Sequence, residues 1–246
     1  MDARGRIGAY DAETGEPRCK RQLETEEDEW TLGGGIAFDG ARLYITTGFS
    51  EVAALDSASG EIVWRRKVSN PMRSAPTVRD GRVFVVTIAN ELFVLSAADG
   101  KTLWSHSGYS EVANLVGGAS AAVDSGIVVV PYSSGEIFAL RVENGRVVWR
   151  DTLPPLQRTD PITSLAHVRG RPVIDRGRVF VISNSGRMVA IDLRTAYRVW
   201  EHTIGGVHGP WVAGEYIFVV SNKSEVICLS RRDGVVNWIS ALHQFE

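Results

Sequence analysis

Residues 51–64 read EVAALDSASGEIVW, which is a short apolar run, a turn and, four residues after Gly60, a tryptophan. The arrangement returns at intervals of 38 to 51 residues along the chain, at Trp104, Trp149, Trp200 and Trp238. Cys19 stands at the equivalent place near the start of the chain. Self-similarity at a period of roughly 20 to 50 residues is typical of repeat architectures. The chain is therefore interpreted as one structural unit written several times.

Each unit contains a second apolar stretch upstream, such as RLYITT at 42–47 or RVFVVT at 82–87, and most of these follow a tight turn such as Asp39-Gly40. The alternating or continuous apolar pattern has little helical periodicity and predicts four short antiparallel strands per unit. One such sheet cannot bury both faces alone, so copies must stack, and a β-propeller stacks them radially. We predict an all-β fold, a β-propeller of four-stranded antiparallel blades.

The repeat divides the chain into blades of a single propeller domain over residues 1–246. A half blade is expected at approximately 5–22, and full blades at approximately 32–68, 74–106, 117–152, 170–202 and 207–240. We expect an incomplete ring from a parent of about eight blades. A buried indole stabilises by about 4 to 6 kcal/mol as an upper estimate. The repeated tryptophans are therefore predicted to dock each blade on the next: Trp64, Trp104, Trp149, Trp200 and Trp238.

The turn position four residues before each tryptophan is glycine except at Ala196. Glycine tolerates the left-handed backbone that such a turn needs. We expect a strained or rearranged turn at Ala196.

Composition excludes several classes of partner. The chain has 27 Lys and Arg against 29 Asp and Glu, a formal net charge of -2 and a densest charge run that is acidic, which disfavours nucleic acid. The acidic run Glu24–Glu29 is interpreted as a solvated loop. Cys19 and Cys228 have no disulfide or metal spacing and are interpreted as small buried apolar residues. No export signal is expected within this sequence, because its first residues lack a basic and then apolar leader.

Functional expectations come from the lengths of the connections. In a four-stranded antiparallel blade, one end carries only tight turns, whereas the other receives the long connections 21–32, 107–116 and 151–169. Long loops on a rigid scaffold are where binding usually occurs. The five histidines form no paired metal motif, and no nucleophile motif is present, so no catalytic, cofactor or metal site is predicted.

Four segments carry a family resemblance: AALDSASGEIVW (53–64), VLSAADGKTLW (94–104), ALRVENGRVVW (139–149) and AIDLRTAYRVW (190–200). They resemble the AxDxxTGxxxW repeat of the pyrroloquinoline-quinone (PQQ) propeller superfamily, which contains both quinoprotein dehydrogenases and non-enzymatic propellers. Over about residues 5–240, including LGGGIAFDGARLYITTG and PWVAGEYIFVVSN, the chain is similar to the BamB family, especially its alphaproteobacterial forms.

The BamB resemblance implies a non-enzymatic scaffold without a cofactor, at the periplasmic face of the outer membrane. BamB proteins are lipoproteins of the outer-membrane β-barrel assembly machinery, which bind a POTRA domain of the central barrel subunit and help deliver unfolded outer-membrane proteins. The lipid anchor that would join the chain to the membrane is expected to be absent from this sequence.

By motif position, the family's partner contacts correspond here to Asn114, Val116, Gly117, His167 and Arg169. A well-studied enterobacterial form has an arginine and two aspartates where this chain has Gly117, His167 and Arg169, so the charge of the contact is inverted. Three alternatives stay open. These residues could simply lead into strands, and the propeller could be a PQQ-dependent dehydrogenase that uses calcium or a general ligand-binding protein of the cell envelope.

Overall fold

The computed structural model describes residue 2 and residues 5–23, 34–109, 118–154 and 168–242. The described residues contain no helix with the length and apolar character needed to cross a membrane. Contacts between residues divide the chain into two compact units, Met1–Ser105 and His106–Glu246. The single propeller domain over residues 1–246 stays a prediction.

The first unit begins with a two-stranded antiparallel sheet of β1 (Arg6–Tyr10) and β2 (Pro17–Gln22). A four-stranded sheet follows, with β3 (Gly34–Asp39), β4 (Arg42–Thr47), β5 (Glu51–Asp56) and β6 (Ile62–Lys67) in that order. The next sheet contains β7 (Thr77–Arg79), β8 (Arg82–Val86), β9 (Glu91–Ser96) and β10 (Thr102–Ser107). The division between the units falls within β10.

The second unit contains three further four-stranded sheets, each with its strands in sequence order. The first has β11 (Ala122–Asp124), β12 (Ile127–Pro131), β13 (Glu136–Arg141) and β14 (Val147–Thr152). The second has β15 (Val173–Asp175), β16 (Arg178–Ile182), β17 (Met188–Asp192) and β18 (Arg198–His202). The third has β19 (Trp211–Ala213), β20 (Tyr216–Val220), β21 (Glu225–Ser230) and β22 (Val236–Ala241). This architecture confirms the predicted fold class of four-stranded antiparallel blades.

The apolar pattern of each strand matches its place in the blade. The second strand β12 reads IVVVP and is buried in four of its five positions, because both of its faces are covered. The outermost strand β14 reads VVWRDT, and only Trp149 is buried there. The core of a blade therefore lies in its middle strands, and a single indole extends it to the edge.

The turn between the third and fourth strands is built by an aspartate and a left-handed residue. In the first full blade, the Asp56 carboxylate accepts hydrogen bonds from the backbone amides of Ala58 (3.0 Å) and Ser59 (2.8 Å). The Ser59 amide is the main cause that holds the pKa of Asp56 below its ordinary value. Gly60 closes the turn at φ 70°.

Ala196 keeps the same turn without rearranging it. Its amide donates to the Asp192 carbonyl at 3.1 Å, as the Gly60 amide donates to the Asp56 carbonyl at 2.9 Å. Its φ is 64°, in the left-handed region that L-residues occupy at a cost. Of the two outcomes expected at this position, the structure therefore shows strain.

Three repeated tryptophans lie between successive blades. Trp64, Trp149 and Trp200 are 7 to 8% exposed. Their indole N–H groups donate to the carbonyl that follows the third strand of the next blade, at 3.1, 2.7 and 3.4 Å. The acceptors occupy one repeat position, and they are Ala97, Leu193 and Arg231.

At two of these contacts the turn glycine of the next blade packs directly against the indole. A Cβ on Gly100 would lie 2.6 Å from Cε3 of Trp64, and one on Gly234 would lie 2.7 Å from Cδ2 of Trp200. At Gly100 and Gly234 the turn glycine is therefore needed for space as well as for its backbone angle. The other two repeated tryptophans differ, since Trp104 is half-buried and Trp238 is 46% exposed.

Candidate functional site: the loop end of the blades

The predicted binding surface lies at one end of each blade. We call loop end the edge that carries the turn between the second and third strands together with the connections between blades. Of the predicted partner contacts, Asn114, Val116, Gly117 and His167 lie outside the described residues. Arg169 is described and half-buried. The site can therefore be built from the described residues that flank the segments 110–117 and 155–167.

The chain leaves β14 for segment 155–167 through residues held by Arg198 of the next blade. The Arg198 guanidinium donates from Nε and Nη2 to the two carboxylate oxygens of Asp151, at 2.8 and 2.7 Å. Nη2 also donates to the Thr152 carbonyl at 2.7 Å. Hydrogen bonding to Asp151 raises the pKa of Arg198 above its ordinary value. A planar, two-bond contact of this kind fixes direction as well as distance.

Arg187 extends this cluster to the last described residue before the segment. Its Nε donates to the Pro154 carbonyl at 2.9 Å, and its Nη1 pairs with the Glu201 carboxylate. Glu201 also receives Nη1 of Arg198 at 2.7 Å. Two arginines and two carboxylates thus hold the carbonyls of Thr152 and Pro154. We call this group the arginine clamp: Asp151, Arg187, Arg198 and Glu201.

The return of the chain from segment 155–167 is fixed by close backbone packing. Val168 is 3% exposed and belongs to the core shared by the first two blades of the second unit. A Cβ on Gly170 would lie 2.7 Å from the His208 carbonyl oxygen, and one on Gly209 would lie 2.6 Å from that of Arg171. Neither glycine has room for a side chain. Arg169 lies between these anchored neighbours.

The described residues just before segment 110–117, also in the second unit, are held by a buried carboxylate. The backbone amide of Tyr109 donates to the Glu136 carboxylate at 2.9 Å, and the Ser134 hydroxyl donates to the same oxygen at 2.9 Å. Glu136 is only 7% exposed, so its charge needs these donors. The Tyr109 ring is 72% exposed beside this anchor.

His106 packs against the same anchor. Its Nδ1 lies 2.9 Å from the hydroxyl of the buried Tyr132, and its ring centroid lies 4.5 Å from that of Phe138. Burial lowers the pKa of His106 from its ordinary value, and the charge of Glu136 opposes this effect in part. The neutral imidazole is therefore favoured.

The arrangement fixes the described residues that flank segments 110–117 and 155–167. Its arginines and carboxylates bond to each other and to backbone groups, and the described residues contain no group of three or more His, Cys, Asp or Glu placed to hold a metal ion. Sequence reasoning missed the arginine clamp. One signal was available, because the repeat position at the start of the third-strand segment is glutamate in four of the full blades and arginine, just before β17, in the other: Glu51, Glu91, Glu136, Arg187 and Glu225.

Comparison with known proteins identifies the family. Residues 3–240 match the family model described as outer membrane protein assembly factor BamB. The chain belongs to the BamB family. A relative from Yersinia pestis, named outer membrane protein assembly factor BamB, is 27% identical over 243 residues, which are 96% of this chain and 62% of the relative. The chain thus spans less than two thirds of that BamB relative's length.

Solved structures support the fold. The crystal structure of BamB from Moraxella catarrhalis superposes with a TM-score of 0.86 at 20% identity, covering 100% of this chain and 72% of that one. A europium-containing methanol dehydrogenase superposes with a TM-score of 0.71 at 14% identity, covering 87% of this chain and 51% of that one. Identities this low show the fold alone, so the second likeness does not favour the dehydrogenase alternative.

Proposed function

We propose that this chain is a non-enzymatic scaffold of outer-membrane β-barrel assembly, which acts at the periplasmic face of the outer membrane. Its partner is the POTRA region of the central barrel subunit, and through it the chain aids the assembly of outer-membrane proteins. The observation that carries the proposal is the match of residues 3–240 to the family of BamB assembly factors.

The loop end of the second unit suits this role. Segments 110–117 and 155–167 are each entered through backbone groups that side chains hold, at Tyr109 through Glu136 and at Pro154 through Arg187. A loop with fixed ends loses less conformational freedom when it binds than one with free ends. Anchored loops on a rigid sheet scaffold are a common binding device.

The proposed contacts are those that the family resemblance marks, Asn114, Val116, Gly117, His167 and Arg169. Arg169 supports the assignment because its position is set by Val168 and Gly170, which leave its backbone little freedom. A fixed cation next to a long connection would complement an acidic patch on the partner.

The test is an affinity measurement with the purified POTRA domains of the barrel subunit from the same genome. One variant replaces residues 156–166 by a Gly-Ser linker of equal length. The control places serine at the exposed residues Glu143 and Arg146, in the turn at the opposite end of the preceding blade. We expect the loop variant to bind at least about tenfold more weakly, a loss of about 1.4 kcal/mol, and the control to bind as the wild type does. Unchanged affinity of the loop variant, with an unchanged circular dichroism spectrum, would show that the binding surface is elsewhere.

A further inference from the structure

The outermost strands of the first two sheets carry an unusual concentration of positive charge. β2 reads PRCKRQ and β6 reads IVWRRK, and neither strand contains an acidic residue. Their cations, which we call the basic edge, are Arg18, Lys20, Arg21, Arg65, Arg66 and Lys67. All six are exposed.

Most of this charge has no ion-pair partner in the part of the chain that the structure describes. Arg18 pairs with Asp11, and Nε of Arg65 lies 3.6 Å from the Glu51 carboxylate. Within the described parts of the chain, the other four cations of the basic edge have no carboxylate partner within 4.0 Å. Among the described residues, four of the six positive charges are therefore not matched by a carboxylate.

Some of these cations face the groove between the first two sheets. A Cβ on Gly60 would lie 3.3 Å from Cγ of Arg21, so the Arg21 side chain lies against the turn between β5 and β6. Trp64 faces the following sheet, where it bonds to the Ala97 carbonyl. Because side chains alternate along a strand, its neighbour Arg65 faces the other way, toward the first sheet. Arg21 and Arg65 thus flank the groove between the first two sheets, whereas Arg66 faces the following sheet, where its Nη2 lies 3.5 Å from Oγ1 of Thr102.

Protection of an exposed strand edge is the simplest explanation of such charges, since edge lysines hinder pairing with other chains. The other outermost strands argue against it. β14 carries one arginine and one aspartate, and β22 carries no charged residue. Edges in the same chain therefore persist without this charge.

We propose that the basic edge binds the surface of a bilayer that contains anionic phospholipid. An extended, exposed array of cations without a specific pocket suits a surface of repeated phosphate groups, to which each nearby Lys or Arg adds attraction. The net charge of -2 gives the chain as a whole no attraction to such a surface, so binding must be local. The choice of a membrane rests on the proposed function, which places the chain beside one.

The experiment is co-sedimentation of the chain with vesicles of phosphatidylcholine alone or with about a third of phosphatidylglycerol. It contains no protein partner, so its outcome is independent of the POTRA measurement. The test variant changes three cations that form no ion pair among the described residues, Lys20→Gln, Arg66→Gln and Lys67→Gln. The matched control removes equal charge from exposed sites of the second unit, Arg141→Gln, Arg146→Gln and Arg194→Gln.

We expect the wild type to bind the anionic vesicles and to be released when salt is raised from about 0.05 to 0.3 M, because the Debye length shortens. Each cation contributes about 1 kcal/mol, or about fivefold, so the test variant should lose on the order of 100-fold in partition coefficient. The control should lose little. Equal losses in both variants, or equal binding to neutral vesicles, would overturn the proposal. So would binding of the wild type to polyglutamate beads but not to vesicles, which would indicate an acidic polypeptide as the partner.

Discussion

Replacing Trp149 by alanine tests the blade contact at its best-defined point. The indole is 7% exposed and packs in a core drawn from two successive blades, with Val179 and Ile191 among its members. Its N–H donates to the Leu193 carbonyl at 2.7 Å, the shortest of the three indole bonds described above. The substitution therefore removes packing and a hydrogen bond together.

The expected loss follows from the buried area. An indole buries about 150 to 250 Å², which at about 25 cal/mol per Å² gives an upper limit of about 4 to 6 kcal/mol. Large-to-small changes of this kind in protein cores cost about 3 to 5 kcal/mol, and we expect Trp149→Ala to fall in that range. Trp149→Phe retains most of the packing and leaves the Leu193 carbonyl without its donor, at a cost of about 1 to 3 kcal/mol.

The assay is urea unfolding followed by far-ultraviolet circular dichroism, which does not depend on the indole itself. Trp238→Ala is the matched control, because that side chain holds the same repeat position but is 46% exposed. We expect it to lose less than about 2 kcal/mol. Equal losses for Trp149→Ala and Trp238→Ala, or a loss below about 1 kcal/mol for Trp149→Ala, would refute the docking role.

Three further predictions concern the clamp, the turns and the histidine. For the arginine clamp, we expect Asp151→Asn and Arg198→Met to show a coupling free energy of about 1 to 2 kcal/mol in a double-mutant cycle measured by urea unfolding. The value is lower than for a fully buried ion pair, because the Arg198 side chain is 32% exposed. Additive losses of stability would contradict the clamp. At the turns, Ala196→Gly should stabilise the fold by up to about 1 kcal/mol, because it relieves an alanine in the left-handed region. Gly100→Ala should destabilise the fold by more than about 1 kcal/mol, because its Cβ would collide with Trp64. Calorimetry that gave both stability changes the same sign would contradict this. The pKa of His106 in the folded protein lies below its ordinary value of 6.5, so its contribution to stability is present above that pH and is lost as the pH falls below it. Between pH 8 and 5, the melting temperature of His106→Gln should therefore decline less than that of the wild type. An equal decline in both proteins would exclude His106 as the cause.

The fold could be predicted from the sequence because one motif recurs in every full blade. The tryptophan needs a turn four residues earlier and an apolar third strand before it, so a single residue type marks three features of the unit. The same spacing assigns Cys19 to the tryptophan position of the half blade. In the structure its thiol lies 3.9 Å from a Cβ built on Gly60, the turn glycine of the next blade.

The site was less predictable, because its contacts join residues far apart in sequence. Asp151 and Arg198 stand on different blades, and their pairing depends on how two sheets pack rather than on any local spacing. Arg187 was visible as an exception in the repeat, but its role depends on Glu201 and on the Pro154 carbonyl. The predicted contacts at 114–117 and 167 lie outside the described residues, so they stay predictions.

The thiol at the indole position of β2 has a mechanical consequence. A cysteine fills far less of the contact between the first two sheets than a tryptophan would. The Arg21 side chain covers part of the remaining space against Gly60. This contact between sheets therefore resists shear less than the contacts that Trp64 and Trp200 fill. When the chain is stretched from its ends, the first sheet should separate from the second at the lowest force, and the remaining blades should unfold at higher force.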